Sequence, residues 1–264
     1  MSTLIRDYER FAKEANEICK GRVYTDHLRR YAYGVDASCY SYLPKVVVKA
    51  EDEREVRRLI RLCQQCGTPF TFRAAGSSLS GQCSSEDVLI VCNDGFKKME
   101  VIDDGKALKC ECGVIGSDAN DLLKPYNRKI GPDPATLATA LVGGILNNNS
   151  SGMCCGTAQN SYKTIRSIRV VLLDGSILDT SDQKSINQFL KEKPQMVEDI
   201  LQLRKDILAD EELTHLIHHK YKIKNTTGYG LNSLVDFEDI IDIINHLFIG
   251  SEGTLGFVSE VVYN

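Results

Sequence analysis

Arg73-Ala74-Ala75-Gly76-Ser77-Ser78-Leu79-Ser80-Gly81-Gln82 is a run of mostly small side chains directly after a predicted strand at residues 69–73. Small side chains leave backbone N–H groups accessible, so such a loop is suited to binding a phosphate. It is not a P-loop, because Gln82 occupies the place of the phosphate-binding lysine and a strand follows. The glycine spacing also differs from the dinucleotide fingerprint. Taken alone, the loop is more often a simple turn.

Three further segments share this character. Pro132-Asp133-Pro134 precedes Gly143-Gly144-Ile145-Leu146-Asn147-Asn148-Asn149-Ser150-Ser151-Gly152, which combines glycines with many amide and hydroxyl groups and is equally compatible with a surface loop. Gly250-Ser251-Glu252-Gly253-Thr254-Leu255-Gly256 lies between a predicted apolar helix and a predicted strand. It is not a nucleophile elbow, because the Gly-x-Ser-x-Gly pattern is absent.

Composition excludes several classes of protein. The 264 residues are 42% hydrophobic and 26% charged, as in soluble globular chains, which indicates one large domain or two small ones. Lys and Arg (32) against Asp and Glu (36) give a net charge of −4, which argues against a nucleic-acid partner. Ten cysteines are too dilute for a disulfide framework and favour a reducing compartment. We predict no membrane span and a cytoplasmic protein, or one at the membrane periphery in a larger assembly.

The first half of the chain shows a βαβ pattern. A helix is predicted over 4–20, a strand over 45–48, a helix over 51–66 ending before Gly67, and strands over 69–73 and 88–91. A hairpin follows, with arms 99–102 and 107–112. We predict an N-terminal helical extension (1–42) and a first lobe (43–115).

The second half changes pattern from about residue 116. Predicted elements are a helix at 118–124, a small-residue helix from Ala135, a strand at 165–172 with a partner at 176–178, polar helices over most of 185–220, a helix at 237–248 and a strand at 256–262. This segment (116–264) is the predicted second lobe, which gives an α+β fold of two α/β lobes.

Together these motifs resemble the PCMH-type FAD-binding domain of FAD-linked oxidases of the vanillyl-alcohol oxidase type. Within that family they are most similar to the D-lactate dehydrogenase, glycolate oxidase flavin subunit and D-2-hydroxyglutarate dehydrogenase group, over about residues 40–264. The family patterns are Arg-Gly-x-Gly-Thr-Ser-Leu-x-Gly, Pro-Asp-Pro, Gly-Gly-Asn…Asn-Ala-Gly-Gly and Gly-Ser-Glu-Gly-Thr-Leu-Gly. The chain departs from them at Ala74, Ile145 and Ser151.

The resemblance implies a binding site for FAD whose diphosphate is held by backbone amides. It assigns the following residues to the cofactor: Arg73, Ala74, Ala75, Gly76, Ser77, Ser78, Gly81, Gln82, Pro132, Asp133, Gly143, Gly144, Asn147, Asn149, Ser150, Gly152, Glu252 and Gly253. Lys222, Asn225 and Thr226 are possible neighbours of the flavin ring, the alternative being a solvated basic loop. Covalent relatives often carry His where this chain has Ser77, so we expect noncovalent FAD.

The resemblance also implies an activity. In the family, hydride passes from the α-carbon of a 2-hydroxy acid to flavin N5, while a base on a C-terminal cap domain removes the hydroxyl proton. That domain has no counterpart in these residues, so the catalytic residues stay unknown and we expect a fragment with poor turnover, whose longer form carries an iron–sulfur module or another electron acceptor. Alternatives are a non-catalytic FAD-holding subunit and a flavin reductase of the cell-wall UDP-sugar type.

No metal site is predicted. His215, His218 and His219 share a helical face, but no carboxylate or thiolate ligand accompanies them at a fixed spacing. Cys63 and Cys66 lie within one predicted helix, and neither they nor the Cys110-x-Cys112 pair supply the four thiolates of an iron–sulfur cluster.

Overall fold

Two β-sheets, one mostly parallel and one antiparallel, organise the chain. The computed structural model describes residues 6–264. The strands are β1 (Val23–Tyr24), β2 (Val46–Lys49), β3 (Phe70–Arg73), β4 (Val88–Val91), β5 (Met99–Ile102), β6 (Ala107–Glu111), β7 (Ile165–Leu172), β8 (Ile177–Asp179) and β9 (Gly256–Tyr263). The helices are α1 (Tyr8–Ile18), α2 (His27–Ala32), α3 (Glu53–Cys66), α4 (Gly116–Leu123), α5 (Val142–Asn147), α6 (Ser161–Thr164), α7 (Gln183–Glu192), α8 (Pro194–Ala209), α9 (Glu211–Lys220), α10 (Ser233–Asp236) and α11 (Ile240–Leu247).

The first sheet has the strand order β1-β2-β4-β3, in which β2 and β3 both run parallel to β4 and β1 is antiparallel to β2. Helix α3 crosses between β2 and β3. Its N-cap Asp52 accepts a hydrogen bond from the Glu55 amide, and it ends at Gly67, whose φ of 63° suits glycine. The predicted βαβ unit is therefore confirmed, with β4 inserted between its two strands.

The second sheet is antiparallel, in the order β5-β6-β9-β7-β8. Strand β9 is its centre and is almost entirely buried, because both of its edges pair and both faces are covered. Helices α4, α5 and α11 contribute buried residues to the same core. This arrangement confirms the α+β fold class.

Aromatic rings join the two sheets, and an ion pair joins the second sheet to helix α3. Phe257 of β9 lies with its ring centroid 5.0 Å from that of Phe72 in β3. Arg169 of β7 donates two hydrogen bonds to Glu53 at the start of α3, at 2.8 and 3.0 Å. These contacts fix the end of β3, where the first predicted glycine loop begins, relative to the start of β9, where the last one ends.

Several predicted bounds need correction. The helix expected from Ala135 is a series of turns. The helix that does form, α5, includes Gly143 and Gly144, for which the sequence predicts a loop. The hairpin β5–β6 belongs to the second sheet, so the sheets change over before residue 99, earlier than the predicted lobe boundary near 115. The division into lobes stays a prediction. The predicted helix 4–20 is observed as Tyr8–Ile18, and residues 4 and 5 lie outside the described range.

Candidate functional site

A single carboxylate oxygen joins the three predicted loops. Glu252 Oε1 accepts hydrogen bonds from Gln82 Nε2 at 3.2 Å and from Asn148 Nδ2 at 2.6 Å. Gln82 belongs to the loop at 74–82, which we call the first loop, and Asn148 to the segment 143–152, the second loop. Glu252 itself belongs to the third loop, 250–256. The three motifs that the sequence predicted separately therefore form one site.

The first loop offers free hydrogen-bond donors. Gly76 and Gly81 have φ angles of 77° and 79°, a backbone conformation that glycine adopts without steric cost. The amides of Ala75, Gly76, Ser77 and Leu79 donate to no acceptor within residues 6–264. Unpaired backbone amides are strong donors, and an anion satisfies several of them at once. The first loop therefore fits the diphosphate of a dinucleotide.

The second loop contains unpartnered buried oxygens. Asn149 Oδ1 and Ser151 Oγ are buried and have no hydrogen-bond partner in the part of the chain that the structure describes. Asn149 also has a φ of 49°, which is uncommon for a residue other than glycine. Gly144 lies so close to the first loop that a Cβ there would be 3.3 Å from the Cβ of Ala74. These atoms fit a polar ligand bound between the first and second loops.

Asn147 and Ser150 bond within the protein. Asn147 Nδ2 donates to the Gly143 carbonyl at 2.7 Å, and its Oδ1 accepts from Ser251 Oγ at 3.2 Å. The Asn147 carbonyl accepts from the Glu252 amide at 2.9 Å. Ser150 Oγ donates to Asn148 Oδ1 at 2.8 Å. These two predicted cofactor ligands thus stabilise the meeting of the second and third loops.

Asp133 holds the end of the second loop. Its Oδ1 accepts from the amides of Gly152 and Cys155 at 2.9 and 3.2 Å, and its Oδ2 accepts from Cys154 at 3.2 Å. Burial opposes ionisation of this carboxyl, but the hydrogen bonds outweigh it and lower the pKa of Asp133 to about 2. Asp133 is therefore a carboxylate at neutral pH. The hydrogen bonds of its carboxylate are all with backbone amides of the protein.

Glu252 behaves differently from Asp133. Burial raises the pKa of Glu252, and the hydrogen bonds from Asn148 and Gln82 offset only part of that effect. Its φ of 53° is held by the turn that continues to Gly253, where φ is 75°. A buried carboxyl that resists ionisation is compatible with an anion bound nearby, because it limits charge repulsion.

Arg73 lies at the end of β3, and its guanidinium packs beside Gly76 of the first loop. Its guanidinium donates to the carbonyls of Tyr33 and Val35, at 3.2 and 2.7 Å, and the residue is 9% exposed. Arg73 is also among the residues predicted to bind the cofactor, and that assignment stays a prediction. In the structure its hydrogen bonds are with the protein backbone.

The segment around Lys222, Asn225 and Thr226, which is predicted to lie near the flavin ring, contacts the second loop through Lys224. Lys224 Nζ donates to the Ser151 carbonyl at 2.5 Å. Asn225 Oδ1 accepts from Thr227, and Lys222 is exposed. Within residues 6–264, Lys222, Asn225 and Thr226 form no hydrogen bond or ion pair with the three loops. Lys224 and Asn148 were missed as individual residues, although both lie in segments that the sequence singled out.

The described residues contain no group of three or more His, Cys, Asp or Glu side chains placed to hold a metal ion. Within the same range, no helix has the length and hydropathy needed to cross a bilayer.

Comparisons with known proteins agree with this geometry. The sequence profile of the FAD binding domain family matches residues 44–181. The D-2-hydroxyglutarate dehydrogenase of Pantoea ananatis is 26% identical over 247 residues, which cover 91% of this chain and 24% of that protein. "Glycolate oxidase subunit GlcD" of Bacillus subtilis is 24% identical and covers 88% of this chain and 39% of its own length. The chain thus spans about a quarter of the length of the D-2-hydroxyglutarate dehydrogenase it matches.

Solved structures share the fold. An alkyldihydroxyacetonephosphate synthase has a TM-score of 0.64 at 18% identity and covers all of this chain and 41% of its own. The 6-hydroxy-D-nicotine oxidase of Arthrobacter nicotinovorans has a TM-score of 0.60 at 13% identity and covers 93% of this chain and 42% of its own.

Proposed function

Because the chain belongs to the FAD binding domain family, we infer that its three joined loops hold the diphosphate of FAD. The observation that supports this most directly is the row of free backbone amides at Ala75, Gly76, Ser77 and Leu79. Each charge-assisted bond from such an amide to a phosphate oxygen contributes about 1.5–3 kcal/mol, so an acidic chain can still bind an anion.

The second loop supplies the remaining polar groups. The unpaired oxygens of Asn149 and Ser151 accept hydrogen bonds from hydroxyl groups of the ligand. Gly144 permits the second loop to approach Ala74 of the first loop closely. Lys224 donates to the Ser151 carbonyl, next to the Gly152 amide that donates to Asp133, so both side chains order the end of the second loop. When bound, the flavin supplies a hydride acceptor.

For the whole protein we propose an FAD-linked oxidoreductase that oxidises a D-2-hydroxy acid of the lactate, glycolate or 2-hydroxyglutarate type. The names of the matched relatives support this substrate class. The present residues contribute cofactor binding, and the substrate site belongs to sequence outside them. The word "subunit" in the name of the Bacillus subtilis relative supports an assembly with an electron-accepting partner.

Noncovalent attachment and a reducing compartment belong to the same proposal. Ser77 offers no nucleophilic ring nitrogen at the position where covalent relatives often carry histidine. All ten cysteines are free thiols, which supports a cytoplasmic location.

The test is a titration of the purified protein with FAD, followed by absorbance and by quenching of flavin fluorescence. We expect saturable binding at one site per chain and complete release of flavin on denaturation. A protein that rejects FAD contradicts the cofactor assignment, and flavin that stays with the precipitated chain contradicts noncovalent attachment.

Substrate class is tested separately on the longest natural chain that contains these residues. D-2-hydroxyglutarate, D-lactate and glycolate are added anaerobically to the flavin-loaded protein, with the L-enantiomers of the first two as controls. Bleaching of the flavin by a D-hydroxy acid supports the proposal. Bleaching by NADPH alone supports a flavin reductase instead, and no bleaching by any donor supports a non-catalytic subunit.

A further inference from the structure

Arg73 is a buried cation whose partners are backbone carbonyls of a distant segment. Its Nη1 donates to the Tyr33 carbonyl at 3.2 Å and its Nη2 to the Val35 carbonyl at 2.7 Å. The guanidinium carbon also lies 5.9 Å from the centre of the Tyr33 ring, within cation–π range. A guanidinium removed from water needs such partners, so these contacts fix where residues 33–35 lie.

Gly76 in the first loop makes room for this guanidinium. A Cβ at Gly76 would be 2.3 Å from Arg73 Nη2 and 2.7 Å from Cζ. The positive φ of Gly76 and the position of the Arg73 side chain therefore depend on each other. Through this contact, the segment 33–35 and the free amides beside Gly76 form one packed unit.

Two more contacts connect residues 36–40 to the C-terminal end of the first loop. Tyr40 packs on Gly81 so closely that a Cβ there would lie 2.7 Å from Tyr40 Cδ2. The Cys83 thiol donates to Asp36 Oδ2 at 3.3 Å. The segment is closed on itself by the Tyr42 amide, which donates to the Gly34 carbonyl at 2.8 Å.

We propose that residues 33–42, which we call the strap, form an outer wall of the FAD site, and that Arg73 is the positioning residue that holds the strap against the first loop. The inference rests on the proposed binding of FAD by this loop. Arg73 acts through the loop conformation and does not touch the cofactor. Tyr40, which is 49% exposed and 6.2 Å from Tyr42 in a stacked pair, presents an aromatic face beside the diphosphate loop. A planar ring of the dinucleotide fits such a face.

The experiment compares Arg73→Gln with Arg57→Gln. Arg57 also donates to a backbone carbonyl, that of Gly175 at 2.8 Å, and neither residue belongs to the strap or to the first loop. Affinities for FAD and for ADP, which carries the same diphosphate, are measured by calorimetry, together with the melting temperature of each apoprotein. Because Arg73 acts on the ligand only through the first loop, we expect Arg73→Gln to weaken both ligands by roughly tenfold, an effect within the range for residues that do not touch a ligand. The Arg57 control should bind both ligands within about twofold of wild type.

Two further variants keep the test decisive. Gly76→Ala should weaken binding less in the Arg73→Gln background than in wild type, because the clash with the guanidinium is then absent. Tyr40→Ala removes an exposed ring, leaves the fold intact and should still lower FAD affinity severalfold. Limited proteolysis should cut within residues 33–42 faster in Arg73→Gln.

The outcomes separate the two proposals. If wild type binds FAD, and Arg73→Gln and Tyr40→Ala bind FAD and ADP as tightly as wild type does, the role of the strap is overturned and the FAD assignment stands. If wild type does not bind FAD, the assignment of the cofactor fails first.

Discussion

Replacing Asp133 by Asn tests whether one carboxylate organises the second loop. In wild type its two oxygens accept three backbone N–H bonds, from Gly152, Cys154 and Cys155. The Asn side chain has nearly the same shape, but only one of its two terminal atoms accepts hydrogen bonds. It can keep the two bonds made by Oδ1 and must place an NH₂ group against the Cys154 amide.

The magnitude follows from the pKa of Asp133, which is about 2 in the folded protein against an ordinary value of 3.8. A shift of that size corresponds to at most about 2.5 kcal/mol of folding stability. Partial exposure to solvent reduces this, so we expect a loss of about 1–2 kcal/mol at neutral pH. Because the folded pKa is lowered, this stability is present above the ordinary pKa and disappears as the pH falls through about 4 to about 2.

Urea unfolding of wild type and Asp133→Asn at several pH values measures the loss. The matched control is Asp174→Asn, because Lys193 and Ser176 hold the pKa of Asp174 at about 2 although burial opposes its ionisation. Both variants should lose stability with the same pH dependence, but only Asp133→Asn should also weaken FAD binding. A stability difference that does not change with pH, or equal FAD affinity in all three proteins, refutes the reasoning.

The remaining predictions concern the contacts that join the loops. Glu252→Ala should weaken FAD binding, because it removes the acceptor shared by Gln82 and Asn148. Glu252→Gln should still bind FAD, and its stability relative to wild type should increase as the pH rises through the raised pKa of Glu252. Melting curves at about pH 5 and about pH 8 measure this difference. Gly152→Ala should lose about 2–3 kcal/mol in urea unfolding, because its Cβ would lie 2.0 Å from the Asp133 carbonyl oxygen. Lys224→Met should lower FAD affinity roughly fivefold in a fluorescence titration, with Lys222→Met as the unaffected control.

The local sequence predicted secondary structure best where side-chain spacing and burial agree. Strands β4 and β7 have the predicted bounds, and α3 ends at Gly67 as its sequence indicates. The helix at Gly143 and Gly144 was missed, because glycine has low helix propensity and nothing local shows the packing that compensates. In the structure Gly143 lies against Cys112, where a Cβ would be 2.7 Å from the Cys112 Cβ.

At the site, the sequence predicted the loops but not the direction of long side chains. Arg73 and Lys224 both lie in predicted segments, yet one holds the strap and the other the second loop. Several rotatable bonds separate their charges from the backbone, so their partners depend on tertiary contacts. The hydrogen bonds through which Glu252 joins the three loops are also long-range contacts, because Gln82 and Asn148 are far from Glu252 and from each other in the chain. Local sequence patterns therefore do not predict them.

The central position of β9 has a consequence for how the chain folds during synthesis. Val261 pairs with Cys110 on one side and with Ile168 on the other, so the five-stranded sheet closes only after residues 256–263 have left the ribosome. The four strands of the first sheet are complete long before that. Until β9 pairs with them, β6 and β7 each have an unpaired edge, and a partly folded chain with such edges is prone to associate with other chains. A chain cut before residue 256 should therefore aggregate, although every loop of the first sheet is already present.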